Sequence, residues 1–243
     1  EGMLARIFKE ARGLDIPTPF PRLTYQEAVG TFGSDKPDRR VAMQLVDFTE
    51  DFRASSFKVF RSTIDNGGVV KAINAKGFAG ITIGQIDEMT AIAKNFGAKG
   101  LAFIKIENGE WKSPIVKFFT DAEKTALEQK LALEEGDLIF FAADKWDIAC
   151  EVLGRLRLRV AEIQGLTKNS EELDFLWVTD FPLLAFDAAE DKWNAVHHPF
   201  TRPHSDDLGL LEEKRYAEMR AEAYDVVLNG VEIGGGSIRI HEP

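Results

Sequence analysis

VVLNGVEIGGGSIRIHEP (Val226–Pro243) reads as an apolar run, a turn signal, a second strand-like run, three glycines, and then an arginine and a histidine. Asn229–Gly230 between two apolar runs is the pattern of a type I′ hairpin turn. Side chains alternate faces along a regular strand, so Glu232 and Arg239 would point to opposite sides of the second arm. A bulge within Gly234–Gly236 changes that parity and brings both to one face. Glycines also let a flat ligand lie against the backbone. Two readings stand at this point. One is a binding strand with a carboxylate for a hydrated metal or an amine, and a guanidinium for an anion, since arginine grips carboxylates through paired hydrogen bonds. The other is a glycine-rich bend with surface charges. No Lys-Ser/Thr follows the glycines, so the stretch is not a P-loop, and it is not a dinucleotide fingerprint.

Three strings upstream carry further candidates. HHPFT (His197–Thr201) places adjacent histidines at a strand end, where at most one serves a shared site. It is either a substrate contact or one packed and one exposed imidazole. Histidine spacing does not support a zinc site, because neither cysteines nor an H-E-x-x-H helix accompany it. Asp180, in VTDFPLLAF, is costly in an apolar strand unless paired, and is read as an anchor for a neighbouring arginine rather than a catalytic acid. Asp35, Lys36 and Asp38, in GSDKPD, are read as a solvated turn, with a salt-bridged brace near a site as the alternative.

The rest of the chain sets the frame for these strings. Residues 3–12 have helical period, with Met3, Ile7 and Ala11 sharing a face with Leu4 and Phe8. Thr24 with Glu27 and Thr120 with Glu123 are capping-box patterns that open helices. SSFKVFRS and GGVVKAINAKG read as strands joined by a turn at Asn66–Gly68. TIGQIDEMTAIAKNFG puts Ile83, Ile86, Met89, Ile92, Ala93 and Phe96 on one helical face, with Gly97 as C-cap. LAFIKI is a strand, SPIVKFF is read as a further one, and DLIFFAAD is a buried strand. KWDIACEVLGRLRLRVAEIQ is a long helix ending at Gly165, and Arg155, Arg157 and Arg159 are read as its solvated face. Residues 43–165 thus alternate strands and helices over about one domain's length. Beyond a polar linker at 167–172 the pattern becomes β-rich. FLWVTDFPLL and KWNAVHHPF read as strands joined by a turn around Asp187–Asp191, and SDDLGLLEEKRYAEMRAEA as loop plus a short helix.

Composition narrows the function classes. The chain has 243 residues, 44% hydrophobic and 29% charged, enough for a sizeable core. Its net charge of −10 does not give the basic surface of a typical nucleic-acid-binding module. No apolar run is long enough for a membrane helix, and the first residues lack signal-peptide features. The single cysteine, Cys150, excludes an intrachain disulfide, fits the cytoplasm, and is read as a buried structural thiol.

FPRLTYQEAVGTFGSDKPDRR, FLWVTDFPLLAFD, NAVHHPFTRP and AYDVVLNGVEIGGGSIRIH together resemble, in order, successive segments of bacterial-type aspartyl-tRNA synthetases. GAKGLAFIKI, SPIVKFF, GDLIFFAAD and LGRLRLRV resemble the GAD domain that interrupts the catalytic domain of these enzymes. The resemblance implies an α+β chain: a GAD-type α/β insert at 43–165, flanked at 1–42 and 166–243 by parts of a class II antiparallel-sheet catalytic domain. It implies that the anticodon-reading domain and the three class II motifs lie outside this sequence, so that these residues alone are inactive. It assigns His197 and Arg239 to L-aspartate, and Glu232 to ATP through Mg2+. It names no catalytic acid or base. ATP and Mg2+ are the implied cofactors of the full-length enzyme, with L-aspartate and tRNA as partners, a homodimer for the whole protein and a monomer for this piece. The alternative is a GAD-type binding module of a tRNA-dependent amidotransferase subunit without ligase chemistry.

Overall fold

The chain runs through α1 (Gly2–Arg12), β1 (Arg22–Thr24), α2 (Tyr25–Phe32), β2 (Val46–Asp47), α3 (Lys58–Asp65), β3 (Val69–Ala75), α4 (Ile83–Asn95), β4 (Ala102–Glu107) and β5 (Glu110–Lys112). It continues through α5 (Asp121–Leu131), β6 (Leu138–Asp144), α6 (Trp146–Gln164), β7 (Phe175–Thr179), β8 (Leu184–Asp187), β9 (Lys192–Ala195), α7 (Leu208–Glu212), β10 (Ala223–Leu228) and β11 (Val231–Ser237). The computed structural model describes residues 1–168 and 170–241. Two units separate. One comprises Val29–Ser34 and Val41–Ser170; the other comprises Glu1–Ala28, Asp35–Arg40 and the chain from Glu171 onward. The fold is α+β.

The first unit is built on a five-stranded sheet in the order β2-β3-β6-β4-β5, antiparallel at every pair. Alternating strands and helices do not make this sheet parallel, because β6 inserts between β3 and β4. Both central strands are buried on both faces, which explains their near-continuous apolar sequence. One face packs Ile73, Phe140, Met89 of α4, and Leu153 and Leu156 of α6. The other packs Phe48, Phe52, Phe60 of α3, Phe119 and Leu127 of α5. Thr120 and Glu123 form the reciprocal capping box at the start of α5, as Thr82 and Gln85 do for α4.

Several expectations need correction here. SSFKVFRS is not a strand: Phe57, Phe60 and Ile64 recur at helical spacing and α3 buries Phe60 and Ile64 while Val59 stays 55% exposed. The turn at Asn66–Gly68 therefore joins a helix to β3. SPIVKFF is a 3₁₀ turn at Val116–Phe118, closed by the Phe118 amide donating to the Ile115 carbonyl and the buried Phe119 amide donating to that of Val116. Ile83 lies outside the packed face of α4, 82% exposed. Arg157 is not solvated. It is 1% exposed, donates to the carbonyls of Val41 and Met43, and stacks on Phe32 with its guanidinium 5.2 Å from the ring centre. Arg155 and Arg159 do face outward, paired with Glu151, and with Glu88 and Glu162. Cys150 is buried as expected, and desolvation pushes its thiol up to about 11, which leaves it unreactive at neutral pH.

The second unit holds a four-stranded sheet in the order β1-β7-β10-β11, antiparallel except where β1 joins β7 in parallel. One face packs Ala28, Leu176, Val178, Phe181, Ala223 and Val227. The opposite face packs Ile16, Phe20, Phe175 and Val226 beneath Leu4 and Phe8 of α1. Met3 and Ile7 of the same helix are exposed, so the buried face of α1 is rotated towards Leu4, Ala5 and Phe8. Thr24 and Glu27 form the expected cap before α2, with the Glu27 amide donating to Thr24 Oγ1 at 3.1 Å. β8 and β9 pair with each other as a separate hairpin around Asp187–Asp191.

Candidate functional site

The site grows from the β10–β11 hairpin. Asn229 and Gly230 both have positive φ, 52° and 82°, as a type I′ turn requires. Val227 pairs with Glu232, but Val226 pairs with Gly234, so Ile233 is the extra residue of a bulge. The bulge is there, one residue before the glycines rather than among them. Its consequence follows from the register. Glu232 shares a face with Val227, and Gly235 with Asp225, which lies two residues from Val227 and so on the same face. Alternation carries that face on through Ser237 to Arg239. The buried Thr201 agrees: it forms a bridge with Arg239 and its hydroxyl lies 3.4 Å from that of Ser237.

Two of the three glycines have a steric reason. A Cβ on Gly235 would sit 2.1 Å from Asp225 Oδ1, and one on Gly236 would sit 2.9 Å from Tyr224 Oη. Only a bare backbone lets the Asp225 carboxylate lie across β11.

Asp225 is the residue the sequence reading missed. Its signal was an aspartate inside the apolar run AYDVVL, opposite a glycine. Burial raises its pKa, the negative charge of Glu232 raises it further and Asp35 adds to this, while His197 and Lys36 pull it down. Lys36 Nζ stands 3.8 Å from Glu232 Oε2. His197 is exposed and presents its ring edge-on to Phe181, centroids 4.6 Å apart. Glu232, Asp225, His197 and Lys36 thus form one electrostatic cluster. Arg239 lies farther along the same face, exposed, and among the described residues its guanidinium has no ion-pair partner.

The remaining candidates resolve as supports. GSDKPD is a brace and not a solvated turn: Lys36 reaches Glu232, Asp38 receives a two-pronged ion pair from Arg40, and the next residue, Arg39, clamps Asp174. The prongs of Arg40 measure 2.8 and 2.6 Å. Asp180 is not the arginine anchor. It directly follows β7 with φ 56°, accepts from Thr179 Oγ1 at 3.2 Å, and acts on Arg220 only through its charge. The anchor is the buried Asp207, which takes Arg220 Nε at 2.9 Å, Nη2 at 2.7 Å and the Arg220 amide at 2.7 Å, and these bonds hold its pKa below the usual carboxylate range. His197 and His198 lie in a turn rather than on a strand, since β9 stops at Ala195. His198 Nδ1 accepts the Phe200 amide at 3.1 Å, His204 Nδ1 that of Asp206, and His241 Nδ1 lies against the Arg239 carbonyl. Among the described residues no three His, Cys, Asp or Glu side chains converge on one point.

Residues 60–153 match the family described as the GAD domain. The whole chain is 55% identical to an aspartate–tRNA(Asp/Asn) ligase of Opitutus terrae, covering 41% of that protein. It is 50% identical to one of Methylacidiphilum infernorum and 52% identical to an aspartate–tRNA ligase of Geobacillus kaustophilus, again over the whole chain. The chain spans about two fifths of the length of these curated relatives. Its similarity to bacterial aspartate–tRNA ligases therefore runs through the GAD domain and both flanks.

Proposed function

We propose that the protein to which these residues belong is an aspartate–tRNA ligase, and that the face of β10–β11 is one wall of its amino-acid and ATP site. The observation that carries this reading is the bulge at Ile233. It sets an acid pair on the same face as an arginine whose guanidinium has no ion-pair partner among the described residues. Arg239 grips the side-chain carboxylate of L-aspartate, His197 contacts the same substrate, and Glu232 serves ATP. Asp225 and Glu232 fit Mg2+, a hard cation that takes oxygen ligands, because their mutual repulsion is what such an ion relieves. Bound there, Mg2+ would neutralise phosphate charge.

The aspartate α-carboxylate attacks the α-phosphate of ATP, forming aspartyl-adenylate and releasing pyrophosphate; the terminal ribose hydroxyl of tRNA then attacks the aspartyl carbonyl carbon, forming the ester and releasing AMP. The part of these residues is to hold and orient, since charge stabilisation and alignment account for such transfers. The whole protein is read as a cytoplasmic homodimer. Among the described residues no helix is long and apolar enough to cross a membrane. An amidotransferase-type binding module is not favoured, because the ligase similarity includes HHPFT and GGGSIR outside residues 60–153.

The test is ATP–pyrophosphate exchange by the full-length protein, followed by charging of aspartate and asparagine tRNAs. Exchange that requires L-aspartate is expected. Exchange driven equally by asparagine or glutamate, or none at all, overturns the reading. The tRNA that accepts aspartate decides between a single and a double tRNA specificity.

A further inference from the structure

The sheet of the GAD-bearing unit has a notch. β6 pairs with β3 along its whole length, from Leu138 to Asp144. On its other edge it pairs with β4 only from Leu138 to Phe141. The Val70 amide and carbonyl face β2, bonding Thr49 Oγ1 and the Phe48 amide. The Val70–Ala143 pair is therefore not hydrogen-bonded, so the N–H and C=O of Ala143 point away from β3, towards the gap. No described backbone group beyond β4 bonds them. A cavity of about 590 Å3 opens there, lined by Phe57, Phe60 and Phe141 on one side of the sheet and by Leu101, Ile148 and Val152 on the other. Lys99 and Lys145 stand at its rim, and among the described residues neither ammonium has an ion-pair or hydrogen-bond partner. The rim acid, Asp144, accepts the Lys145 amide through Oδ1 at 2.8 Å. α6 starts at the same rim without a side-chain cap, so its first free amides add positive potential, which Asp147 in the first turn offsets in part.

We infer that this notch is a docking site for an extended peptide segment of a partner protein, one that adds beside β6 as a short strand. At about 3.3 Å per residue, roughly four residues fill the gap. Backbone groups of the segment pair with Ala143, as in other strand additions to an open edge. Alternate apolar side chains enter the two halves of the cavity. An acidic residue at one end meets Lys99, Lys145 and the start of α6, and this charge complementarity selects a peptide with an acidic terminus.

The probe is the fluorescein-labelled hexapeptide Ser-Val-Ala-Val-Asp-Glu, titrated by anisotropy against the full-length protein. Hydrogen–deuterium exchange of residues 140–146 is measured in parallel. Saturable binding with slower exchange in that segment is expected. Methylating the backbone nitrogens of the probe's central Val-Ala-Val should weaken binding about tenfold or more, through the loss of main-chain bonds. The exposed double change Lys99→Glu/Lys145→Glu should weaken it several-fold and favour a Lys-Lys-ended counterpart. No saturable binding, equal binding of the methylated peptide, or protection of residues 140–146 by oligo(dT) and not by the peptide overturns the inference.

Discussion

Asp137 in the GAD-bearing unit and Asp225 in the β10–β11 sheet are the same side chain under opposite conditions. Burial works to raise Asp137, yet hydrogen bonds from Asn74, the Gly77 and Glu134 amides and Lys76 outweigh it, and its pKa is lowered. Those bonds measure 2.7, 3.0, 3.0 and 3.1 Å. Asp225 is partly buried as well, receives no hydrogen bond from the described residues, faces Glu232, and is raised. The arginines repeat the contrast: Arg157 is buried with its donors on carbonyls, whereas Arg239 is exposed and, among the described residues, has no ion-pair partner. A charge the protein satisfies by itself holds the fold together. On the proposed function, a charge it leaves unsatisfied is one that a ligand would meet.

Arg157→Met should produce the largest loss of stability, about 4 kcal/mol by urea unfolding, because two buried carbonyls lose their donor. A cost below about 1 kcal/mol would break the contrast on its structural side. Asp137→Ala should cost about 3 kcal/mol. An unfolded aspartate titrates near 3.8, and the folded value lies lower. Asp137 therefore stabilises fully above that range, and its contribution is lost as pH falls through the folded value. Unfolding below pH 4 should accordingly be shallower in the variant than in the parent.

Asp207→Ala should cost about 2 kcal/mol, less because the Arg220 side chain keeps access to water. Asp225→Asn should change sign. A raised acid favours the folded state only as pH falls into its own range, so at neutral pH its charge is a net cost. Removing that charge should stabilise by about 0.5 kcal/mol while aspartate activation is lost, the trade expected at a functional position. Destabilisation by more than about 1 kcal/mol would place Asp225 with Asp137 as a structural acid.

Much of this was legible in the residues. Period and capping pairs placed α2, α4, α5 and α6, Asn229–Gly230 placed the hairpin, and the glycines pointed to a bulge that falls one residue earlier, at Ile233. What escaped had tertiary causes. SSFKVFRS satisfies both strand and helix patterns locally, and only the aromatic core around Phe52, Phe60 and Phe141 selects the helix. Arg157 looks solvated in a run of alternating arginines, because its acceptors Val41 and Met43 lie far upstream in sequence. Asp225 shows in the sequence only as an aspartate inside an apolar run, because its meaning depends on Gly235 across the strand pair and on where the bulge falls. Asp180 drew the anchor reading because an acid in an apolar strand is conspicuous, whereas Asp207 in a charged loop is not.

The most direct measurement is ATP–pyrophosphate exchange by the full-length protein carrying Arg239→Ala. The account predicts that kcat/KM for aspartate falls about 100-fold or more, as expected when a charged two-pronged contact is removed. KM for ATP should stay within about threefold and the melting temperature should be unchanged. An unaltered kcat/KM for aspartate, or an equal loss for ATP, would contradict it.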